Sequence, residues 1–192
     1  MEVRVLMETE IPSAAGLSRY VFDVCLRNRM SFEQTIGFVE EYLGAEHLAE
    51  LVRTEKLILW GAFEAEQLIG VSAMQPDGFI TMLYVLPQHS NRGCGRMLLA
   101  TMRQYAKNVC GVQQVIVNAT PAWTSSYFAR LGFAYDHHNL NVPFLTMRAV
   151  TGESYVVEKK PVSAKVIVGA ALGCLAFATI ACVAYVIWFA LN

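Results

Sequence analysis

The spacing of apolar positions along the chain predicts helices first and strands afterwards. Residues 3–7, VRVLM, form a short first strand, and Pro12 opens a helix to about Arg27, in which apolar residues recur every three or four positions. Ser31, with a glutamine three residues later, has the pattern of a capping box and predicts a second helix to about Leu43. The segment AEHLAELVRTE predicts a third helix.

Beyond these helices the period changes to that of strands. LILWGAF, QLIGVSAM and FITMLYVL are three apolar runs joined by the turn-type connectors EAE and QPDG, which predicts an antiparallel meander. A helix from Arg96 to about Asn108, a strand QVIVNA and a helix SSYFARLG follow, with Gly132 placed to end that last helix. Two closing strands are predicted in FAYD and PFLTMRAV.

The segment LYVLPQHSNRGCGRMLLA joins the third strand of the meander to the next helix and has the features of a phosphate-binding loop. Helix N-termini expose unpaired N–H groups and partial positive charge. Gly93 and Gly95 let the backbone come close to a pyrophosphate, and Arg92 and Arg96 add positive charge. The dinucleotide pattern G-x-G-x-x-G fails because a leucine occupies the last glycine position, and the Walker pattern is absent.

Within this segment, VLPQHSNRGCGRMLL resembles motif A of the GNAT superfamily of acyl-CoA-dependent N-acetyltransferases. Val85 and Pro87 match the V-x-P that ends the fourth strand in that family. Gly93 and Gly95 match the glycines of the [R/Q]-x-x-G-x-[G/A] loop, which binds the coenzyme A pyrophosphate. Ser90 departs from the pattern, because the family has Arg or Gln there.

A second match lies downstream, where VIVNAT followed by YFARLGF resembles motif B, a strand ending in Asn and then F-Y-x-x-L-G-F. The resemblance covers residues 1–148 in element order. It implies a GNAT-like α/β fold with a mixed, mostly antiparallel central sheet flanked by helices. It also implies that the sheet is splayed between its fourth and fifth strands, with the acyl-pantetheine lying in the gap.

The resemblance further implies acetyl-CoA as co-substrate, no metal, and direct attack by an amine without an acyl-enzyme. Backbone groups of the fourth strand bind the thioester carbonyl and pantetheine, and Asn118 is a pantetheine contact, the alternative being a turn residue that ends the strand. The predicted cofactor-binding residues are Leu83, Tyr84, Val85, Ser90, Asn91, Arg92, Gly93, Cys94, Gly95, Arg96 and Asn118.

Tyr127 is the predicted general acid. The family often has a tyrosine second in F-Y-x-x-L-G-F, where this chain has Phe128. Tyr127 comes one position earlier, so on a helix its phenol is rotated by about 100°. The alternative is a tyrosine that serves packing. Cys94, at a helix N-terminus where a thiol pKa can fall, is interpreted as an inward-packing loop residue and not as a nucleophile.

No general base stands out, because FITMLYVL carries no carboxylate, whereas many relatives use a glutamate on that strand. The local polar candidates are Tyr84, His89 and the cluster Asp136, His137 and His138. A histidine with an ordinary pKa can deprotonate an amine through water. The free amine present in solution also makes a base unnecessary.

Val166 to Leu191 is a run of 26 residues without a charge. A helix of that length is about 39 Å long, enough to cross a bilayer core of roughly 30 Å. Lysines just before it favour a cytoplasmic domain, so the chain is predicted to be tail-anchored and single-pass. Gly169 and Gly173 form a GxxxG, which makes a homodimer through this helix a further hypothesis. The predicted organisation is a GNAT-like domain over 1–149, a polar linker over 150–165 and the transmembrane helix over 166–191.

Composition narrows the function classes. The 192 residues are 55% hydrophobic with mean hydropathy +0.37, and the tail accounts for the excess. Residues 1–158 carry 12 basic and 16 acidic side chains, a net charge of −4, which argues against nucleic acid as a partner. Five cysteines without a CxxC pattern indicate neither a disulfide framework nor a zinc site.

Together these features predict a membrane-tethered N-acetyltransferase that transfers an acetyl group from acetyl-CoA to an amine, in a small molecule or in a peptide or protein. The alternative is a membrane-anchored CoA-binding module with weak or lost catalysis, supported by Ser90 and Phe128. A third hypothesis is a scaffold protein whose C-terminal tail only brings two copies of the chain together.

Overall fold

Seven strands form one mixed sheet in the computed structural model, which describes residues 1–29, 37, 42–119, 122–136 and 145–151. The strands are β1 Glu2–Val5, β2 Ile58–Glu64, β3 Gln67–Met74, β4 Phe79–Val85, β5 Gln114–Ala119, β6 Ala134–Tyr135 and β7 Leu145–Val150. The helices are α1 Ile11–Cys25, α2 Ala45–Arg53, α3 Cys94–Asn108 and α4 Ser125–Ala129. Short 3-10 turns lie at Glu8–Glu10, Arg27–Arg29, Pro87–His89 and Ala122–Thr124. All belong to the unit Met1–Tyr155.

The strand order is β1-β2-β3-β4-β5-β7-β6, and every neighbouring pair is antiparallel except β4 and β5. This confirms the predicted GNAT-like α/β fold with a mixed, mostly antiparallel sheet. The predicted bounds of β3 and β5 agree with the structure. The helix after the loop begins at Cys94 and not at Arg96, because glycine at 95 continues the first turn with helical backbone.

The meander of β2, β3 and β4 follows the three predicted apolar runs, and the QPDG turn shows how the sequence fixes it. Gly78 has a φ of +92°, and Asp77 Oδ1 accepts a hydrogen bond from the Phe79 N–H at 2.9 Å. A Cβ at Gly78 would lie 2.7 Å from the carbonyl oxygen of Gln114. The turn therefore needs glycine for its backbone conformation and for its closeness to β5.

The sheet separates two apolar cores. Successive residues of β3 show the division, since Met74 belongs to one core and Ala73 to the other. The first core lies under α3 and α4, and the second lies under α1 and α2. The fully buried residues of the first core include Trp60, Leu98, Met102 and Val115. Those of the second core include Phe22, Leu48, Leu59 and Val71.

β4 and β5 separate beyond the first two residues of β4. In the described part of the chain, β4 pairs with β5 at Phe79 and Ile80 alone. It nevertheless continues beside β3 to Val85, while β5 continues beside β7 to Ala119. The splay predicted between the fourth and fifth strands is therefore present, and it leaves the end of β4 with one unpaired edge.

A buried arginine fixes the helices on one side of this gap. Arg103 on α3 donates to the carbonyl oxygens of Leu131, just after α4, and Val150, at the end of β7. The α4 helix, which carries Tyr127, is thereby held against α3. Because α4 is short, its contact with α3 is needed to fix where the Tyr127 phenol lies.

Several predictions concern residues outside the described part of the chain. These are most of the helix from Ser31, the candidate bases His137 and His138, most of the linker 150–165 and the apolar segment 166–191. Among the residues that are described, no helix is long and apolar enough to span a membrane.

Candidate active site

The predicted phosphate loop leads into α3 with an open helix N-terminus. Gly93 is the N-cap, with φ +89° and ψ −3°, and its carbonyl accepts the first helical hydrogen bond, from the Met97 N–H at 3.0 Å. The N–H groups of Cys94, Gly95 and Arg96 therefore precede the first bonded turn and have no helical partner. A Cβ at Gly93 would meet nothing within 4 Å, so the N-cap position itself is not covered by other parts of the described protein.

The polar side chains of the loop contact other parts of the protein. The Ser90 hydroxyl donates weakly to the Leu86 carbonyl oxygen at 3.4 Å. Arg92 lies 3.7 Å from the Glu64 carboxylate, which is also 3.0 Å from His89 Nδ1. The Arg92–Glu64 pair is solvent-exposed and therefore weak, so the backbone N–H groups are the rigid part of this anion-binding loop and its arginines add positive charge. Asn91 has a φ of +61°, a left-handed backbone conformation that asparagine adopts more easily than most residues other than glycine.

The backbone groups of β4 alternate between β3 and the gap. The Leu86 N–H donates to the Ile69 carbonyl oxygen at 2.9 Å, and Tyr84 pairs with β3 in the same ladder. Alternation along the strand directs the backbone groups of Leu83 and Val85 away from β3, toward the gap. Of the three strand residues predicted to bind the cofactor, two therefore present free backbone groups, whereas the Tyr84 backbone is used in the sheet.

Asn118 lies on β5 just past the last residue paired with β4. Its Oδ1 accepts a hydrogen bond from Thr146 Oγ1 of β7 at 2.9 Å. No other described residue hydrogen-bonds the Asn118 side chain, so its NH₂ group is available at the margin of the gap. The pantetheine-contact interpretation is compatible with this position.

Tyr127 lies against the N-terminal turn of α3. Its hydroxyl oxygen is 2.5 Å from the position a Cβ would take at Gly95, and Val85 Cγ2 is 3.8 Å from the same position. Phe128, at the position of the family tyrosine, is buried against Phe133 with ring centroids 5.4 Å apart. The one-residue shift therefore exchanges roles, because Phe128 packs in the core and Tyr127 reaches the mouth of the gap.

Burial raises the pKa of Tyr127 to about 12. Its phenol is therefore protonated at neutral pH, the form that a proton donor needs. No described residue forms a hydrogen bond with this hydroxyl. The structure thus places a protonated, unbonded phenol beside the loop and leaves its catalytic role a prediction.

Cys94 packs inward and does not face the loop. It is 1% exposed, and its Sγ is 2.8 Å from the position of a Cβ at Gly70. Burial, followed by the nearby Glu64 carboxylate, raises the pKa of the thiol. A helix N-terminus would lower that pKa, but desolvation dominates here. The structure therefore agrees with the interpretation of Cys94 as an inward-packing residue.

Comparison with known proteins identifies the family. The family model described as "Acetyltransferase (GNAT) domain" matches residues 26–149. The chain belongs to the GNAT acetyltransferase family. No curated protein sequence matches the chain. Membership confirms the predicted family and, with it, acetyl-CoA as the predicted co-substrate.

Solved structures share the GNAT fold. PaiA N-acetyltransferase from Thermoplasma acidophilum, in complex with coenzyme A, has a TM-score of 0.66 at 18% identity, covering 78% of this chain and 99% of its own. A probable acetyltransferase from Staphylococcus epidermidis has a TM-score of 0.57 at 15% identity, with coverages of 78% and 98%. A mutant of the spermidine N-acetyltransferase SpeG from Vibrio cholerae has a TM-score of 0.52 at 16% identity, with coverages of 79% and 95%.

Within this GNAT domain, the described candidates for a general base are all constrained. Burial raises the pKa of Tyr84 to about 12, which makes its phenol a poor base near neutral pH. Asp136 accepts a hydrogen bond from Arg148 at 2.7 Å, and His89 faces Glu64. Among the described residues, no group of three or more His, Cys, Asp or Glu side chains could hold a metal ion.

Sequence patterns missed two residues of the GNAT site, Glu64 and Thr146. Glu64 ends β2 and reaches the loop across 28 positions of sequence, and Thr146 reaches Asn118 across the same separation. Both carboxylate and hydroxyl residues are ordinary on strands, so neither position carried a local signal. The contact between Thr146 and Asn118 could be predicted only from the β5–β7 register, which places the two residues opposite each other.

Proposed function

We propose that this GNAT domain transfers an acetyl group from acetyl-CoA to an amine by direct attack on the thioester. The observation that carries the proposal is the set of unpaired backbone N–H groups at the gap and loop. They belong to Leu83 and Val85 on β4 and to Cys94, Gly95 and Arg96 at the start of α3. Such groups bind carbonyl and phosphate oxygens, which an acyl-pantetheine and its pyrophosphate supply.

In the proposed reaction the lone pair of a neutral amine attacks the thioester carbonyl carbon. The C–S bond breaks as the C–N bond forms, and the free N–H groups of β4 stabilise the negative charge that develops on the carbonyl oxygen. The leaving CoA thiolate takes a proton from the Tyr127 hydroxyl. The nitrogen releases its extra proton to solvent, which then restores the phenol, so the transfer needs no protein base.

The acceptor is an amine in a small molecule, or in a peptide or protein. The SpeG neighbour is a spermidine N-acetyltransferase, so a polyamine belongs among the acceptors to be tested. Asp136 and Arg148, beside the outer strands β6 and β7, form an ion pair, so neither charge by itself selects an acceptor sign.

The full-length chain in detergent is expected to bind acetyl-CoA with a Kd in roughly the micromolar range. It is also expected to release CoA thiol with at least one amine. Isothermal titration measures the binding, and a thiol-release assay measures transfer to polyamines, lysine-containing peptides and peptides with free N-termini. A chain that binds no acetyl-CoA would contradict the proposal.

A CoA-binding module with weak or lost catalysis is the second candidate function. The observation that favours it is Phe128, which occupies the position of the family tyrosine and is buried against Phe133. The same two assays separate the candidates, because a module binds acetyl-CoA but releases no thiol with any amine.

We further infer that residues 166–191 tether this domain to a membrane, with the domain in the cytoplasm. The support is the sequence alone: 26 uncharged residues preceded by lysines. The full chain is expected to stay in the membrane pellet after alkaline carbonate extraction. Recovery in the supernatant would contradict the tether. Dimerisation through Gly169 and Gly173 is expected to be lost in cross-linking when both glycines are changed to isoleucine.

A further inference from the structure

Thr146 and Asn118 form a buried polar contact beside the gap. They stand opposite each other in the β5–β7 register, and Thr146 Oγ1 donates to Asn118 Oδ1 at 2.9 Å. Thr146 is 7% exposed. Their neighbours Val117 and Met147 belong to the core under α3 and α4, so this pair lies on the opposite face of the sheet, that of α1 and α2.

The contact defines how the Asn118 amide is oriented. Its oxygen is engaged by the Thr146 hydroxyl, so the NH₂ group points away from Thr146. The β5 residues before Asn118 still pair with β4, whereas Asn118 itself lies where the two strands have separated. The NH₂ donors therefore lie at the margin of the gap, and no described residue accepts from them.

We propose that Thr146 is a positioning residue that holds the Asn118 amide with its NH₂ group toward the acyl-pantetheine. The inference rests on the proposed function, because the partner is an amide carbonyl oxygen of the pantetheine arm. An asparagine amide has two orientations of nearly equal shape, and one of them would bring Oδ1 against that carbonyl oxygen. When the NH₂ group faces that carbonyl oxygen, Oδ1 faces the Thr146 hydroxyl, which donates to it in this structure, so the two hydrogen bonds support the same orientation.

The test compares CoA binding by full-length variants in detergent. Thr146→Val keeps the shape of the side chain and removes the hydroxyl, whereas Thr146→Ser keeps a hydroxyl. We expect Thr146→Val and Asn118→Ala each to raise the Kd for CoA by about three- to tenfold, the effect of losing one hydrogen bond. Thr146→Ser is expected to stay within about twofold of the wild type, and Thr146→Val combined with Asn118→Ala to be no weaker than Asn118→Ala alone.

A matched control separates positioning from stability. Thr151 is also a buried threonine, and its hydroxyl donates to the Val112 carbonyl oxygen at 2.7 Å, away from Asn118. Thr151→Val is expected to lower the melting temperature about as much as Thr146→Val and to leave the Kd for CoA unchanged. In steady state, Thr146→Val should raise KM for acetyl-CoA more than it lowers kcat.

The outcomes distinguish this inference from the proposed function. If the wild type does not bind CoA, the proposed function fails. If it binds CoA and Asn118→Ala weakens binding while Thr146→Val does not, the positioning role of Thr146 is wrong and the function stands. Effects of Asn118→Ala and Thr146→Val that add fully in the double variant would also overturn it, because the two residues would then act independently.

Discussion

Replacing Gly93 with valine is expected to weaken acetyl-CoA binding by about 100-fold or more. The residue caps α3 at a φ of +89°, a left-handed conformation that costs an L-residue roughly 1–2 kcal/mol and is worse for a β-branched one. Relaxing that strain changes the loop and misplaces the free N–H groups of Cys94, Gly95 and Arg96. A Cβ at this position would meet nothing within 4 Å, so the expected effect comes from the backbone strain and not from a clash with the protein.

The measurement is isothermal titration of the full chain with acetyl-CoA, and Gly111→Val is the matched control. Gly111 also has a left-handed φ, +69°, and a Cβ there would also meet nothing within 4 Å, but it lies between α3 and β5. Gly111→Val therefore introduces a similar backbone strain outside the phosphate-binding loop. Gly93→Asn should fall between the two, because asparagine tolerates the left-handed region. Wild-type affinity in a folded Gly93→Val chain would remove the pyrophosphate assignment.

This loop was predictable from sequence because its signal is local. An apolar strand, a proline, two glycines and a helical period follow one another within eighteen residues, and each has a backbone consequence of its own. The meander was predictable for the same reason, since the alternation of its strands and the Asp-Gly turn lie within a few residues of each other. Both structures are decided by neighbours in sequence.

The surroundings of the loop were not predictable because they depend on tertiary contacts. Inward packing of Cys94 was expected, but nothing near Glu64 in sequence indicates that its carboxylate lies near that thiol or meets Arg92. Tyr127 shows the limit most clearly. Helical geometry gives the rotation of its phenol relative to position 128, but the packing of Phe128 and α3 determines that the hydroxyl meets Gly95.

The contact between the Tyr127 hydroxyl and Gly95 leads to the second prediction with a large expected effect, a loss of kcat. Tyr127→Phe is expected to lower kcat by about ten- to 100-fold with a small change in KM for acetyl-CoA, which is at or below the lower limit of the usual range for general acid catalysis. The effect is not larger because burial raises the pKa of Tyr127 to about 12, far above the working pH. The phenol is therefore always protonated but is a weak donor. Tyr105→Phe, the same change at a tyrosine packed on Trp60, is the control and should leave kcat unchanged.

Gly95→Ala tests the role of the Tyr127 hydroxyl by changing the residue that this hydroxyl contacts. Gly95 has ordinary helical backbone, so alanine fits the helix, but its Cβ would lie 2.5 Å from the Tyr127 hydroxyl oxygen and must displace it. If Tyr127 is the acid, Gly95→Ala should lower kcat about as much as Tyr127→Phe, and the double variant should be no slower than either. If Gly95 serves the pyrophosphate alone, Gly95→Ala should instead raise KM for acetyl-CoA and leave kcat unchanged. Steady-state rates of thiol release with a single amine decide between the two, and an unchanged kcat in both single variants would leave Tyr127 a packing residue.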